Sequence, residues 1–235
     1  MSEQYLYLWI NVLTLAGPLS RSFESRIAFA ARWRQWLPGM LVTAAVFVLW
    51  DAYFTSIGVW GFNPRYLIGV NLLGLPIEEW MFFFTIPYAC TFTYEVLRYF
   101  IKKDILGGRI ALVLSLLLSL GTLATACIYG DRWYTVTAFA AAGLLLVFNT
   151  LIGKAPWLGR FFLAYLVCQI PFFIVNGVLT GTGIEEEVVW YNNAENLGIR
   201  MGTIPFEDTF YGMALVLGNV MGLEWRRKVG PVVRD

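Results

Sequence analysis

Apolar residues recur along the chain in unbroken stretches of about 20, the length at which a helix crosses the hydrocarbon core of a bilayer. The strands of a membrane barrel would instead read as alternating segments of about 10. Seven such stretches are present, at about 5–20, 38–56, 76–97, 109–129, 133–152, 160–180 and 204–223. They predict an all-α integral membrane protein with seven transmembrane helices. Met1 to Gln4 carries Glu3 and no basic residue, and no Ala-x-Ala site follows the first stretch. That stretch is therefore expected to be retained as a helix and not removed as a signal peptide.

Composition agrees with a chain whose solvent is lipid: 58% of residues are hydrophobic and 14% charged, against about 25% charged in ordinary soluble domains. The net charge of +1 gives no general attraction to nucleic acid. The placement of the charges carries more. Of 17 basic residues, 14 fall in the groups Arg21 to Arg34, Arg98 to Arg109, Lys154 to Arg160 and Arg226 to Arg234, all on one side of the predicted spans, leaving only Arg65, Arg132 and Arg200 on the other. The positive-inside rule then places the N-terminus outside and the C-terminus in the cytoplasm of a multi-pass cell-membrane protein.

Histidine is absent. This excludes His-based triads, His-ligated haem and His-rich di-iron sites, and leaves proton transfer to carboxylates, Tyr, Lys or water. Cys90, Cys127 and Cys168 stand singly in apolar stretches, without the spacing of a metal or redox motif. No metal site is expected.

Most carboxylates lie on the side poor in basic residues. Glu185, Glu186, Glu187 and Glu195 belong to a polar loop, whereas Asp51 ends the second span and Glu78, Glu79, Glu207 and Asp208 open the third and seventh. Ionisable groups at membrane depth are costly and are functional candidates. An offset of 129 residues aligns 63–98 with 192–227 without a gap, matching Asn63 with Asn192, Gly69 with Gly198, Pro76 with Pro205, Glu78 with Glu207, Glu95 with Glu224 and Arg98 with Arg227. About two identities would arise by chance at ordinary residue frequencies. The acid at Glu79 is answered by Asp208. The pattern predicts two parallel three-helix repeats, 1–104 and 132–235, joined by a linking helix within 105–131, with both acid pairs on the extracytoplasmic side.

Acids in a first helical turn are also favoured by the helix dipole, by about 0.3–1 kcal/mol, so a capping role competes with a chemical one. Adjacent helical residues diverge by about 100°. One acid of each pair is therefore expected to face the bundle interior and the other to support it by hydrogen bonding. Glu78 and Glu207, identical between the repeats, are the expected chemical positions. Aromatic residues gather near both pairs, among them Trp50, Trp60, Trp80, Phe82, Phe83, Trp190, Tyr191, Phe206, Phe210 and Tyr211. Singly these suit a membrane interface. Together they suit a cationic intermediate, which an aromatic face stabilises by about 0.5–2 kcal/mol.

At Pro76-Ile77-Glu78-Glu79-Trp80-Met81-Phe82-Phe83 and Pro205-Phe206-Glu207-Asp208-Thr209-Phe210 the sequence resembles the small membrane type of lycopene cyclase domain. That family includes the heterodimeric cyclases of actinobacteria and the cyclase half of fungal bifunctional carotenoid enzymes, and this chain resembles a fused form carrying both halves. Trp50-Asp51, Asn63 to Gly69 and Trp190-Tyr191-Asn192 also resemble family positions. The second motif departs by placing Asp208 where a second Glu would stand. The resemblance implies conversion of the acyclic ends of lycopene to ionone rings. Glu78 or Glu207 would donate the proton to the terminal alkene, and Glu79, Asp208 or Asp51 would balance the cation and remove a ring proton. Trp50, Asp51, Asn63, Phe82, Phe83, Trp190, Tyr191, Asn192 and Phe210 would contact the substrate. The reaction is redox-neutral, and Gly181-x-Gly183 lacks the third glycine and the strand-turn-helix context of a dinucleotide site, so no cofactor is expected.

Carotenoid hydration begins with the same protonation and is the nearest alternative. A proton-coupled transporter would also explain buried acids and repeats. A membrane prenyltransferase would need its acids on the cytosolic face to hold magnesium and diphosphate, and a retinal protein would need a lysine within the seventh span, which has none before Lys228.

Overall fold

The computed structural model describes residues 3–229. Arg234 and the expected cytoplasmic C-terminal end lie outside the described residues. Seven α-helices form the body: α1 (Leu6–Arg21), α2 (Trp33–Ser56), α3 (Ile77–Phe100), α4 (Arg109–Ile128), α5 (Trp133–Val147), α6 (Leu158–Leu179) and α7 (Phe206–Val229). A π-helical turn, Phe148–Ile152, continues α5 to the length the hydropathy predicts. Four helical segments, containing α2, α4, α5 and α6, are long and apolar enough to cross a membrane, and they mark a multi-pass membrane protein. Large apolar side chains such as Leu49, Leu120 and Ile170 point outward, as they must where the surroundings are lipid. Of the other three, α1 has only 16 residues, and α3 and α7 carry acidic groups in the first turn and basic groups in the last.

The chain is mostly helical, and its connections add short strands. Six short strands lie in the connections, as the antiparallel pairs β1 (Trp60–Phe62) with β4 (Val189–Tyr191), β2 (Asn71–Leu72) with β3 (Leu75–Pro76), and β5 (Arg200–Met201) with β6 (Ile204–Pro205). Between β2 and β3, Leu73 and Gly74 both have positive φ, of 54° and 81°, as a two-residue hairpin turn of the primed type requires. The β1–β4 pair joins distant parts of the chain, Gly61 standing opposite Trp190. Pro76 is the extended N-cap of α3 and not its first helical residue.

Helices α1 and α5 pack along α3 and α7 respectively, and α4 packs on α5. The second and sixth helices cross over: α2 packs more extensively on α7 than on α3, and α6 more on α3 than on α7. At the α2–α7 crossing the backbones meet at Gly39 and Gly222, where a Cβ added to either would lie 2.8 or 2.7 Å from the Cα of the other. Small residues at such a crossing give membrane helices close backbone packing. Gly39→Ala is therefore expected to cost about 1–3 kcal/mol, the usual range for overpacking. Earlier loss of the monodisperse species on heating in detergent would show it. Gly17→Ala, with open space around its Cβ, should leave that temperature unchanged.

At the bundle end away from the strands, the last turns of α3 and α7 carry a crossed ion network. Arg98 donates to Glu224 at 2.9 Å and Arg227 to Glu95 at 2.7 Å. Arg227 also bonds Glu224, Arg32 bonds Glu95, and the buried Tyr94 hydroxyl donates to Glu224 at 2.8 Å. The four residues that match at the offset of 129 are thus each other's partners.

Candidate active site

Beneath the β1–β4 pair, a cavity of about 90 Å³ opens among the helices, with Asp51 of α2, Glu79 of α3 and Asp208 of α7 on its wall. All three residues are buried. Each is placed by its helix: Asp51 lies in the last turns of α2, and Glu79 and Asp208 in the first turns of α3 and α7.

Their hydrogen-bond partners differ. Asp208 accepts from the Tyr134 hydroxyl at Oδ1, and at Oδ2 from Asn176 Nδ2 at 2.9 Å and the Tyr191 hydroxyl at 3.1 Å. Three donors form the natural setting of an ionised carboxylate, which only accepts. Glu79 Oε2 accepts from the Tyr7 hydroxyl at 2.5 Å. Asp51 Oδ1 accepts from the Trp60 indole at 2.5 Å, while its Oδ2 is buried without a protein partner. A neutral carboxyl suits that position, because a second charge there would be left unsolvated.

Around the acids stands a nest of rings. Trp60 packs edge-on to Tyr134 with centroids 5.0 Å apart, Tyr134 stacks on Tyr191 at 5.7 Å, and Tyr211 lies 6.1 Å from Trp60 and 6.2 Å from Tyr134. Such a wall presents π faces to any cation formed inside. Among the described residues no group of three or more Cys, Asp and Glu side chains converges as a metal-binding set.

Of the residues singled out in the sequence, Asp51, Trp60, Glu79, Phe82, Tyr191, Asp208 and Tyr211 line the cavity. Glu78 and Glu207, the expected inward-facing acids, do not. Glu78 Oε1 accepts the Ile68 backbone N–H at 2.7 Å, and Glu207 Oε1 accepts the Leu197 N–H at 2.6 Å and the Thr135 hydroxyl at 2.7 Å. Each ties the loop ahead of its helix to the first turn through one carboxyl oxygen, and the other oxygen, Glu78 Oε2 or Glu207 Oε2, is buried without a protein partner.

The remaining expected contacts lie elsewhere. Trp50 packs on Tyr211 from outside the cavity, with centroids 4.9 Å apart. Phe83 is buried beside Phe47, and Phe210 packs on Phe139. Asn63 and Asn192 accept backbone N–H groups two residues on, as turn residues, and Trp190 lies across Gly61. Tyr7, Tyr134 and Asn176 complete the site without having been picked out in the sequence. The first two offered a signal, each being the second residue of its helix.

Fold and site together define a multi-pass membrane protein with carboxylates converging in an aromatic-lined cavity, a setting for acid–base chemistry on an apolar molecule. The comparison with known families gives this class a name: the family model described as Lycopene cyclase matches residues 4–97 and 131–226, and the chain belongs to that family. It is 26% identical over 207 residues to the bifunctional lycopene cyclase/phytoene synthase of Aspergillus niger, an alignment covering 78% of this chain and 34% of that protein. It is also 39% identical over 59 residues to the protein of the same description from Phaeosphaeria nodorum, covering 24% and 10% of the two chains. The chain thus spans about a third of the length of the first of these relatives. No solved structure matches it.

Proposed function

We propose that this chain closes the acyclic ends of lycopene into ionone rings inside the cavity beneath β1 and β4. The observation that carries the reading is the meeting of Asp51, Glu79 and Asp208 on one aromatic-walled space. In the proposed reaction the proton of the Asp51 carboxyl adds to the terminal alkene and leaves a tertiary cation. The neighbouring alkene supplies the electron pair that closes the ring and carries the charge into it. A ring C–H bond then breaks, its electrons forming the new double bond and its proton passing to Asp208. Glu79, on the same wall, returns that proton to Asp51, so no electrons are gained or lost and no flavin or nicotinamide enters. Glu78 and Glu207 hold the loops that carry the cavity's roof.

The chain is proposed to be two parallel repeats, 1–104 and 132–235, joined by α4 within 105–131, with all seven helices embedded in the membrane. The constant offset of 129 supports this. It relates β1 to β4, β2 to β5, β3 to β6 and α3 to α7, and the Ile68–Glu78 bond to the Leu197–Glu207 bond. The family model also matches two separate stretches. The distribution of basic residues supports an extracytoplasmic cavity, and a reporter fused after Asp235 is expected to read cytoplasmic.

Expression in a lycopene-accumulating bacterium tests the function. Ring-bearing carotenoids of unchanged mass are expected. Unaltered lycopene after verified membrane insertion would count against the reading, and a product heavier by one water would indicate hydration. Acid-dependent solute uptake without any change in the pigment would favour the transporter. Protein purified into lipid should cyclise lycopene with no added dinucleotide, and a strict requirement for one would overturn the proposed cofactor independence.

A further inference from the structure

A second cavity, of about 450 Å³, runs along α3 between α1 and α6. It shares Phe82, Ile86, Phe172, Asn176 and Gly212 with the acid cavity. The two spaces therefore adjoin, with these five residues common to their walls. Along α3 it follows one stripe, Phe82, Ile86, Ala89 and Thr93, which at 1.5 Å per residue is a run of about 16 Å. Helices α1 and α6 both pack on α3 but scarcely on each other, and the groove's outer residues Leu13 and Ile174 are 69% and 66% exposed. Its mouth opens sideways, toward the space a bilayer would fill.

A groove also lies at the place related by the offset of 129, between α2 and α5, with a volume of about 850 Å³. It shares no lining residue with the acid cavity. Phe47 and Trp50 seal it by packing on Tyr211, with centroids 5.0 and 4.9 Å apart, and Phe83 stands behind Phe47 at 6.4 Å. The residue 129 positions after Phe83 is Gly212. Where one helix fills the junction with a ring, the other leaves it empty.

We propose that the groove between α1, α3 and α6 holds the polyene chain trailing from the reacting end, and that it is the passage from the bilayer to the acids, with the α2–α5 groove blind. This deepens the cyclase reading and rests on it for the identity of the polyene. The lining suits the ligand: mostly apolar side chains, with no charged group along the groove.

Lycopene is achiral, so its visible circular dichroism appears only when a chiral site holds it. Glu79→Gln protein in lipid nanodiscs, unable to turn over, is expected to induce that signal. Adding Ala89→Trp or Ile174→Trp should reduce it at least tenfold in monodisperse protein, whereas Leu144→Trp in the blind groove should leave it intact. Absence of the signal from the Glu79→Gln protein, its survival in both groove variants, or its loss in Leu144→Trp would each overturn the proposal. Failure of the cyclase reading is read separately: induced dichroism with no ring formed by the unsubstituted protein removes the reaction and leaves the groove standing.

Discussion

Replacing Asp51 by Asn, Glu79 by Gln or Asp208 by Asn is expected to lower the rate of ring formation, each alone, by about 10²–10⁴-fold, the usual contribution of a positioned acid or base. These changes keep the shape and remove the titratable group, and at position 208 the amide NH2 also takes the place of one accepting oxygen. Because all three side chains reach one cavity, none should leave a working centre behind. Glu78→Gln and Glu207→Gln are expected to act far more weakly, since the amide oxygen can still accept the Ile68 or Leu197 N–H that each Glu now accepts. Glu185→Gln, on an exposed side chain, should be silent. Pigment separation after matched membrane expression measures all six. Abundant one-ring product from a folded Glu79→Gln protein, with two rings from the unsubstituted chain, would mean two independent centres and would refute the shared one.

The second large effect concerns assembly. Glu224→Ala takes the acceptor from Arg98, Arg227 and the buried Tyr94 hydroxyl together. Breaking a buried ion pair by removing one partner costs about 3–5 kcal/mol. Here the lower end, about 3 kcal/mol, is expected, because the Arg98 side chain keeps 36% exposure and can turn to water. The readout is loss of folded protein on heating in detergent. Glu224→Gln, which retains an acceptor for Tyr94, should lose less. Equal stability of the Ala variant and the unsubstituted chain would show that the crossed network does not hold the helix ends together.

Hydropathy located the seven helices to within a few residues except where polar groups begin or end them, because lipid imposes a length on apolar runs that water does not. Helix α2 starts at Trp33 and α7 runs to Val229, past the ends of the apolar runs, since Arg and Glu partners satisfy one another there. The hairpins were hidden for the opposite reason: Leu72-Leu73-Gly74-Leu75 reads as apolar sequence, and only the turn geometry distinguishes it.

The acid pairs are legible in the sequence, but which acid of each pair reaches the cavity is not. Identity at the offset of 129 points to Glu78 and Glu207, and in the structure each accepts the backbone N–H of the residue ten positions before it. The neighbouring position tolerates Glu79 in one half and Asp208 in the other because its partners, Tyr7 in the first case and Tyr134, Tyr191 and Asn176 in the second, come from other helices. The identities of Glu95 with Glu224 and of Arg98 with Arg227 at the offset of 129 are likewise visible in the sequence. That Arg98 would bond Glu224 and Arg227 would bond Glu95 cannot be read from a single line of sequence.

The crossing of α2 onto α7 and of α6 onto α3 bears on how such a chain can be divided. Tyr7, Asp51 and Glu79 precede α4, whereas Tyr134, Asn176, Tyr191 and Asp208 follow it, so neither portion encloses the cavity alone. A gene cut in the connection before α4 would yield two polypeptides obliged to find each other. The covalent join adds no contact to the site and acts by effective concentration, converting a meeting of two chains in the plane of the membrane into a folding step.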